Sequence, residues 1–149
     1  MTATDREALR QQLIQHEGLR LTPYVDTVGK VTIGVGRNLT DVGLSREEAL
    51  HLLTNDIETV ITDCMTFPWF PTLNAVRQRV VCDMRFNLGP ARLRQFRHTL
   101  AAVADGRYAD AATGMLASRW ATQVKGRARR LAEMMRTGQD DASTTLDGE

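Results

Sequence analysis

A 20-residue run at positions 17–36, EGLRLTPYVDTVGKVTIGVG, limits what this chain can become. Val31, Thr32, Ile33 and Val35 form a β-branched strand pattern. Thr27, Val28, Gly29 and Lys30 ahead of it supply turn chemistry, with Gly29 the expected positive-φ position. Residues 21–26, with Pro23 and Tyr24, then read as the other arm of a hairpin, and Asp26 sits at its neck. Alternation places Val31, Ile33 and Val35 on one face and Thr32 on the other. Gly34 and Gly36 read as bulge residues or as points where something approaches the backbone closely.

The chain before the hairpin predicts an amphipathic helix. Thr4-x-x-Glu7 has the form of a capping box. Leu9, Leu13 and Ile14 recur at helical spacing, and Glu17 continues that stripe. Gly18 suits the left-handed residue that ends helices. An acid so placed is expected to be half sheltered at the negative end of a helix dipole, and both favour its protonated form. Two carboxylates in different surroundings, Glu17 and Asp26, are what glycoside hydrolysis requires. Taken singly, each has an ordinary alternative: a surface Glu in a last turn, and an Asp that caps turn donors.

Everything after the hairpin reads as a polar link followed by helices. The link covers residues 37–43. Ser45 and Glu48 form a second capping box, and helical recurrence from Ala49 to Ile61 predicts a helix over Arg46–Cys64. Phe67-Pro68-Trp69-Phe70-Pro71 breaks the pattern, and its aromatics are assigned to core packing. Further helices are expected from residue 75 to about Gly89-Pro90, around Phe96–Ala104, over 108–118 and over 124–135. Residues 139–149 are polar and acidic, and are expected to be disordered. The architecture expected is α+β and mostly helical, with a small hairpin lobe (about 17–60), a larger helical lobe (about 1–16 plus 61–138) and a cleft between them.

Charge is segregated behind a net value of +1. Residues 1–76 carry 6 basic and 10 acidic side chains, a balance of −4. Residues 77–130 carry 12 basic and 3 acidic, a balance of +9, and 131–149 carry 1 and 5, a balance of −4. A basic half steers anionic partners. Residues 1–12 contain no apolar run, which predicts no secretory signal and no signal anchor. Cys64 and Cys82 lack metal-ligand spacing, as do His16, His51 and His98. Two reduced, mostly buried thiols are expected, with a bridge left open.

The 17–36 run resembles the active-site segment of the phage T-even-type lysozymes, glycoside hydrolase family 24. Glu17-Gly-Leu-Arg-Leu, Asp26 after eight intervening residues, and Thr32 within Thr-Ile-Gly-x-Gly match three catalytic positions without a gap. Later, Ser118-Arg119-Trp120 and Arg127-x-x-Arg130 match the family's Ser-Arg-Trp and Arg-x-x-Arg. The resemblance runs from about Ala8 to Thr137. It implies a lysozyme-like fold and hydrolysis of the β-1,4 bond between N-acetylmuramic acid and N-acetylglucosamine in peptidoglycan, with inversion. It makes Glu17 the proton donor, Asp26 the second carboxylate, and Thr32 a holder of the attacking water, with the carboxyls roughly 6.5–9.5 Å apart. It implies no cofactor and no metal.

By the same resemblance Arg127 would meet Glu17. Substrate-contact positions fall on Asn38, Phe86, Thr99 and Gly114. Thr99 replaces a Ser, Asn38 an apolar residue, and Gly114 an Asn. His16 stands where the family often has an Asp that pairs with the second arginine, here Arg130. The family's longer insertion after the hairpin is absent, so the hairpin lobe should be small. Partners expected are peptidoglycan, with holin-dependent access from the cytoplasm of synthesis, and an anionic outer-membrane surface met by the basic C-terminal helix. A monomer without a nucleic-acid partner is expected. Two other readings stay open: a lytic transglycosylase on the same polymer, and a basic helical module for envelope or nucleic acid built on residues 77–130.

Overall fold

A computed structural model describes residues 1–140. Most of the disordered tail expected over 139–149 therefore lies outside the described residues. The chain forms seven α-helices and one three-stranded sheet among those residues: α1 Ala3–Glu17, β1 Arg20–Val25, β2 Val31–Gly34, β3 Arg37–Asn38, α2 Arg46–Cys64, α3 Ala75–Arg94, α4 Arg97–Ala104, α5 Tyr108–Leu116, α6 Arg119–Val124 and α7 Gly126–Thr137. This is the mostly helical α+β architecture of a lysozyme, with a small hairpin lobe and a larger helical one. Two compact units divide it, Met1–Leu53 and the residues from Thr54 onward, with the boundary inside α2. No described helix is long and apolar enough to cross a membrane.

In the first unit, α1 starts two residues earlier than Thr4-x-x-Glu7 suggests. Thr2 is the N-cap, its hydroxyl accepts from the Asp5 amide, and the Asp5 carboxylate reaches back to the Thr2 amide at 3.2 Å. Glu7 is engaged by Arg10 and Gln11 instead. The sheet order is β1-β2-β3, antiparallel throughout. Arg20 faces Gly34 while Tyr24 faces Thr32, so three residues of β1 oppose the single residue Ile33. Pro23 lies in that stretch and has no amide to give the ladder, which is why the register slips there.

Residues 37–43, expected as a link, contain the third strand. Gly34 and Gly36 both take positive φ (68° and 66°), and they turn the chain at Val35 to bring Arg37 and Asn38 alongside Ile33 and Thr32. Positive φ is readily available to glycine and costly for other residues.

Thr32 is the one buried residue of this unit. Polar contacts carry much of its order. Arg37 grips Glu48 with both guanidinium arms, at 2.9 and 2.7 Å. Glu48 closes the expected Ser45 capping box, accepting the Ser45 amide at 2.9 Å while Ser45 Oγ accepts the Glu48 amide at 3.1 Å. The guanidinium and then the Ser45 amide hold the Glu48 carboxyl down at about 2.

The second unit is a packed helical core. α2 ends at Cys64, the expected residue. Val60 and Cys64 of α2, Val80, Val81, Met84 and Leu88 of α3, Met115 of α5, and Leu131 and Met135 of α7 are all buried. Ala111 and Ala112 of α5, with Ala128 and Ala132 of α7, keep the packed helices close. Phe70 is buried, and Phe67 and Trp69 stack at 4.7 Å against the core, as expected of that loop. α3 contains a break at Gly89 (φ 82°, ψ 169°) just before Pro90, where its end was expected. Asp63 binds Arg94 through both oxygens (2.8 and 3.0 Å) and Arg85 through one. These guanidinium hydrogen bonds hold its carboxyl below the usual range.

A helix that the sequence did not predict, α6, precedes the last one, α7. Ser118 caps α6, accepting the Ala121 amide, and Lys125 at φ 46° separates α6 from α7. A sequence pattern cannot show that break, because Lys125 is not a residue that favours positive φ. Cys64 is fully buried, Cys82 is half buried, and both are free thiols. They hydrogen-bond to each other. That bond, and then burial, push the Cys64 thiol up, while the same bond draws the Cys82 thiol down against burial.

Candidate active site

The first unit carries Glu17, Asp26 and Thr32. Glu17 is the last residue of α1, and Gly18 closes the helix by donating its amide to the Ile14 carbonyl at 2.8 Å. The chain can then turn at once into β1. The Glu17 side chain lies over Gly36. A Cβ built on Gly36 would stand 3.0 Å from Oε2, 3.1 Å from Cδ and 3.3 Å from Cγ. The glycine therefore makes room for the carboxylate and ties it to the β2–β3 turn. The shelter expected from the Leu9, Leu13 and Ile14 stripe is not found: α1 has no buried residue, and Glu17 is exposed. Leu9 and Leu13 are themselves exposed because no core of this unit lies beneath them.

Asp26 is fixed by backbone. Its Oδ1 accepts from the Val28 amide at 3.0 Å and from the Lys30 amide at 2.9 Å. Its own amide donates to the Lys30 carbonyl, and its carbonyl accepts from Gly29. Both amides go to one oxygen, so Oδ2 receives neither. The carboxylate has a fixed plane and a half-buried setting. Thr32 follows on β2, 4% exposed, with its hydroxyl donating to the Lys30 carbonyl at 3.1 Å. Lys30 thus links Asp26 and Thr32 through its backbone.

Asn38 is Thr32's neighbour across the β2–β3 ladder. Its side-chain oxygen accepts from the Asp41 amide and its amide donates to the Asp41 carboxylate, both at 3.0 Å. Much of its hydrogen-bonding capacity is spent holding this turn. His16 is exposed in the last turn of α1.

The other expected site residues belong to the second unit. Phe86 on α3 is 48% exposed. Thr99 on α4 is 6% exposed and lies against Gly114 on α5, where an added Cβ would be 2.5 Å from its hydroxyl. Gly114 is thus a packing requirement for Thr99. Arg127 donates to Asp83, through Nε at 2.8 Å and also through Nη2. Sequence reasoning passed over Asp83. It flanks the buried Val80, Val81 and Met84 of α3, with its own side chain 39% exposed. Arg130 folds back beside Gly126, has a partner of its own, and lines a small pocket with Arg79, Asp83 and Arg127. Trp120 is buried, and its indole N–H donates to Asn87 at 2.8 Å.

A carboxylate at a helix end, a second one clamped at a hairpin neck and a buried hydroxyl on the following strand, carried on a small unit of a chain whose other unit is helical, define a lysozyme-like protein. Residues 14–136 match the phage lysozyme family, and the chain belongs to that family. It is similar to the pre-baseplate central spike protein Gp5 of Enterobacteria phage T4, 27% identical over 160 residues, with 88% of this chain and 28% of that protein covered. It is also similar to probable T4-type lysozymes 1 and 2 of Dictyostelium discoideum, 27% and 24% identical over 161 residues, with 88% of this chain and 95% of each relative covered. The chain thus spans 28% of the spike protein's length and nearly all of the two lysozyme relatives.

Proposed function

We propose that this protein is a muramidase, hydrolysing the β-1,4 bond between N-acetylmuramic acid and N-acetylglucosamine in bacterial peptidoglycan during phage lysis. Glu17 is the general acid, protonating the leaving oxygen. Asp26 is the general base, taking a proton from water on the opposite face of the sugar. Thr32 holds that water, and the anomeric centre is inverted. The observation that carries this assignment is the mounting of Asp26. A carboxylate with one oxygen bound by the Val28 and Lys30 amides is kept from turning away, and its other oxygen is left to work. The seat of Glu17 over Gly36 supports it, by fixing the second acid to the same hairpin.

The whole of residues 1–138 acts as one catalytic domain in this proposal. Substrate is held at Asn38, Phe86, Thr99 and Gly114, while Arg127 and Arg130 support the acid. The enzyme works as a monomer without cofactor or metal, is made in the host cytoplasm, reaches the wall after holin action, and meets the anionic outer membrane through α7. The test is a mass-resolved digest of purified peptidoglycan by wild type and Glu17→Gln. Fragments whose masses sum to the parent chain plus one water per bond cleaved, formed by wild type and not by the variant, uphold it. Anhydro-sugar products, or unchanged turnover by Glu17→Gln, reject it.

A further inference from the structure

The second unit contains an open pocket of about 570 Å³ whose ionisable lining is all of one sign. Arg92, Arg97, His98 and Arg119 line it, and neither Asp nor Glu does. Eight arginines outside the pocket pair with carboxylates: Arg10 with Glu7, Arg37 with Glu48, Arg79 with Asp140, Arg85 and Arg94 with Asp63, Arg107 with Asp105 and Asp110, Arg127 with Asp83, and Arg136 with Glu133. None of the three arginines that line this pocket does so among the described residues. Arg92 reaches only the Gln123 amide oxygen, at 3.4 Å. The side chains of Arg97, His98 and Arg119 have no hydrogen bond or ion pair among the described residues. Gathering cations without a counter-charge costs self-repulsion unless an anion arrives.

The placement follows from the local sequence. Arg92 lies in the turns of α3 after the Gly89 break, Arg97 and His98 open α4, and Arg119 opens α6 beside the Ser118 cap. The ends of three helices meet there, and each contributes an arginine: Arg92 from α3, Arg97 from α4 and Arg119 from α6. The pocket also takes in the edges of Phe96 and Trp120, so it offers apolar wall together with guanidinium forks. That mixture suits a short acidic peptide better than a bare inorganic ion. Guanidinium binds carboxylate in a planar, two-pronged geometry that a neutral amide cannot reproduce.

We infer that this pocket binds the free carboxylates of the peptide stems of peptidoglycan, and makes the enzyme discriminate against stems whose carboxylates are amidated. The inference rests on the muramidase reading for its substrate, but the pocket's contacts can be read without turnover. Arg97 and Arg119 are the principal specificity residues, and Arg92 assists them.

The test uses the full chain and two peptidoglycan preparations, one with free stem carboxylates and one amidated. Wild type should cleave the free form with kcat/KM about tenfold higher, the ratio that one lost charge-assisted hydrogen bond produces. Arg97→Gln/Arg119→Gln should lose that advantage, falling on the free form and holding its rate on the amidated one. Equal wild-type rates, or an equal fall on both substrates, overturn the inference. A direct readout separates this from the fate of the muramidase reading. The free stem tetrapeptide should shift the Trp120 indole N–H signal in wild type, and about tenfold higher peptide should be needed in the double variant. If wild type cleaves neither preparation, the muramidase reading fails and this titration alone decides the pocket. No shift with the peptide, or an equal shift with inorganic phosphate at the same concentration, overturns the stem assignment.

Discussion

Gly36→Ala and Gly34→Ala form a pair that isolates what holds Glu17. Both glycines lie at the β2–β3 turn with nearly equal backbone geometry, φ 66° and 68°. Each substitution therefore imposes the same left-handed penalty, about 1–2 kcal/mol. In a chain of this size that lowers Tm by about 3–6 °C. The surroundings differ. A Cβ at Gly34 meets nothing within 4 Å, whereas one at Gly36 meets Glu17 Oε2 at 3.0 Å and Cδ at 3.1 Å. The carboxylate must yield by a few tenths of an ångström or turn to another rotamer. Misplacing a catalytic group by up to about 1 Å costs up to about 100-fold in rate. Thermal melts and initial rates of reducing-end release from peptidoglycan measure the two quantities. Gly34→Ala is expected to lose stability with little loss of kcat, and Gly36→Ala to lose similar stability with kcat down about 10–100-fold. Equal kcat in the two variants refutes the idea that Gly36 seats the acid.

Other consequences can be checked as directly. Asp26→Asn keeps an oxygen for the Val28 and Lys30 amides, so it should melt within about 0.5 kcal/mol of wild type and yet lose nearly all turnover; Asp26→Ala should lose turnover and about 1 kcal/mol besides, by denaturant titration. The Glu48 carboxyl is held at about 2 against an ordinary 4.5, a depressed folded value, so its stabilisation is full above pH 4.5 and fades as pH falls toward 2. Glu48→Gln should flatten that part of the stability–pH curve. Gly114→Ala forces a Cβ to 2.5 Å from the Thr99 hydroxyl and should cost about 1–3 kcal/mol, with Thr99→Ala restoring part of it. Trp120→Phe removes the buried indole N–H that donates to Asn87 and should cost about 1 kcal/mol in a chemical melt.

Helices with strong periodicity and a polar start were legible in the sequence. α2 runs over the residues its capping box and apolar spacing mark, because Ser45 and Glu48 satisfy each other there. The hairpin and its Gly29 turn were legible for the same kind of local reason. Three features were not. β3 is two residues long, too short to show alternation, and exists because Gly34 and Gly36 bend the chain back. α6 hides within a polar stretch, and its boundary is a lysine at positive φ. The exposure of α1 could not be read either, since a stripe of Leu9, Leu13 and Ile14 shows that a face is apolar and says nothing of what covers it. Of the site, the residue types and their spacing were visible. What mounts them was not: the two amides on one Asp26 oxygen, the Gly36 seat beneath Glu17, and the Asp83 carboxylate that takes Arg127.

The stereochemistry of the first product tests the pairing of Glu17 with Asp26 most directly. Proton NMR of the anomeric region, recorded in the first minutes of digestion of soluble glycan chains, distinguishes the outcomes. Water delivered by Asp26 to the face opposite the leaving group predicts that the α-anomer forms first and then mutarotates. Initial release of the β-anomer, or of a product with no anomeric hydroxyl, would contradict the account.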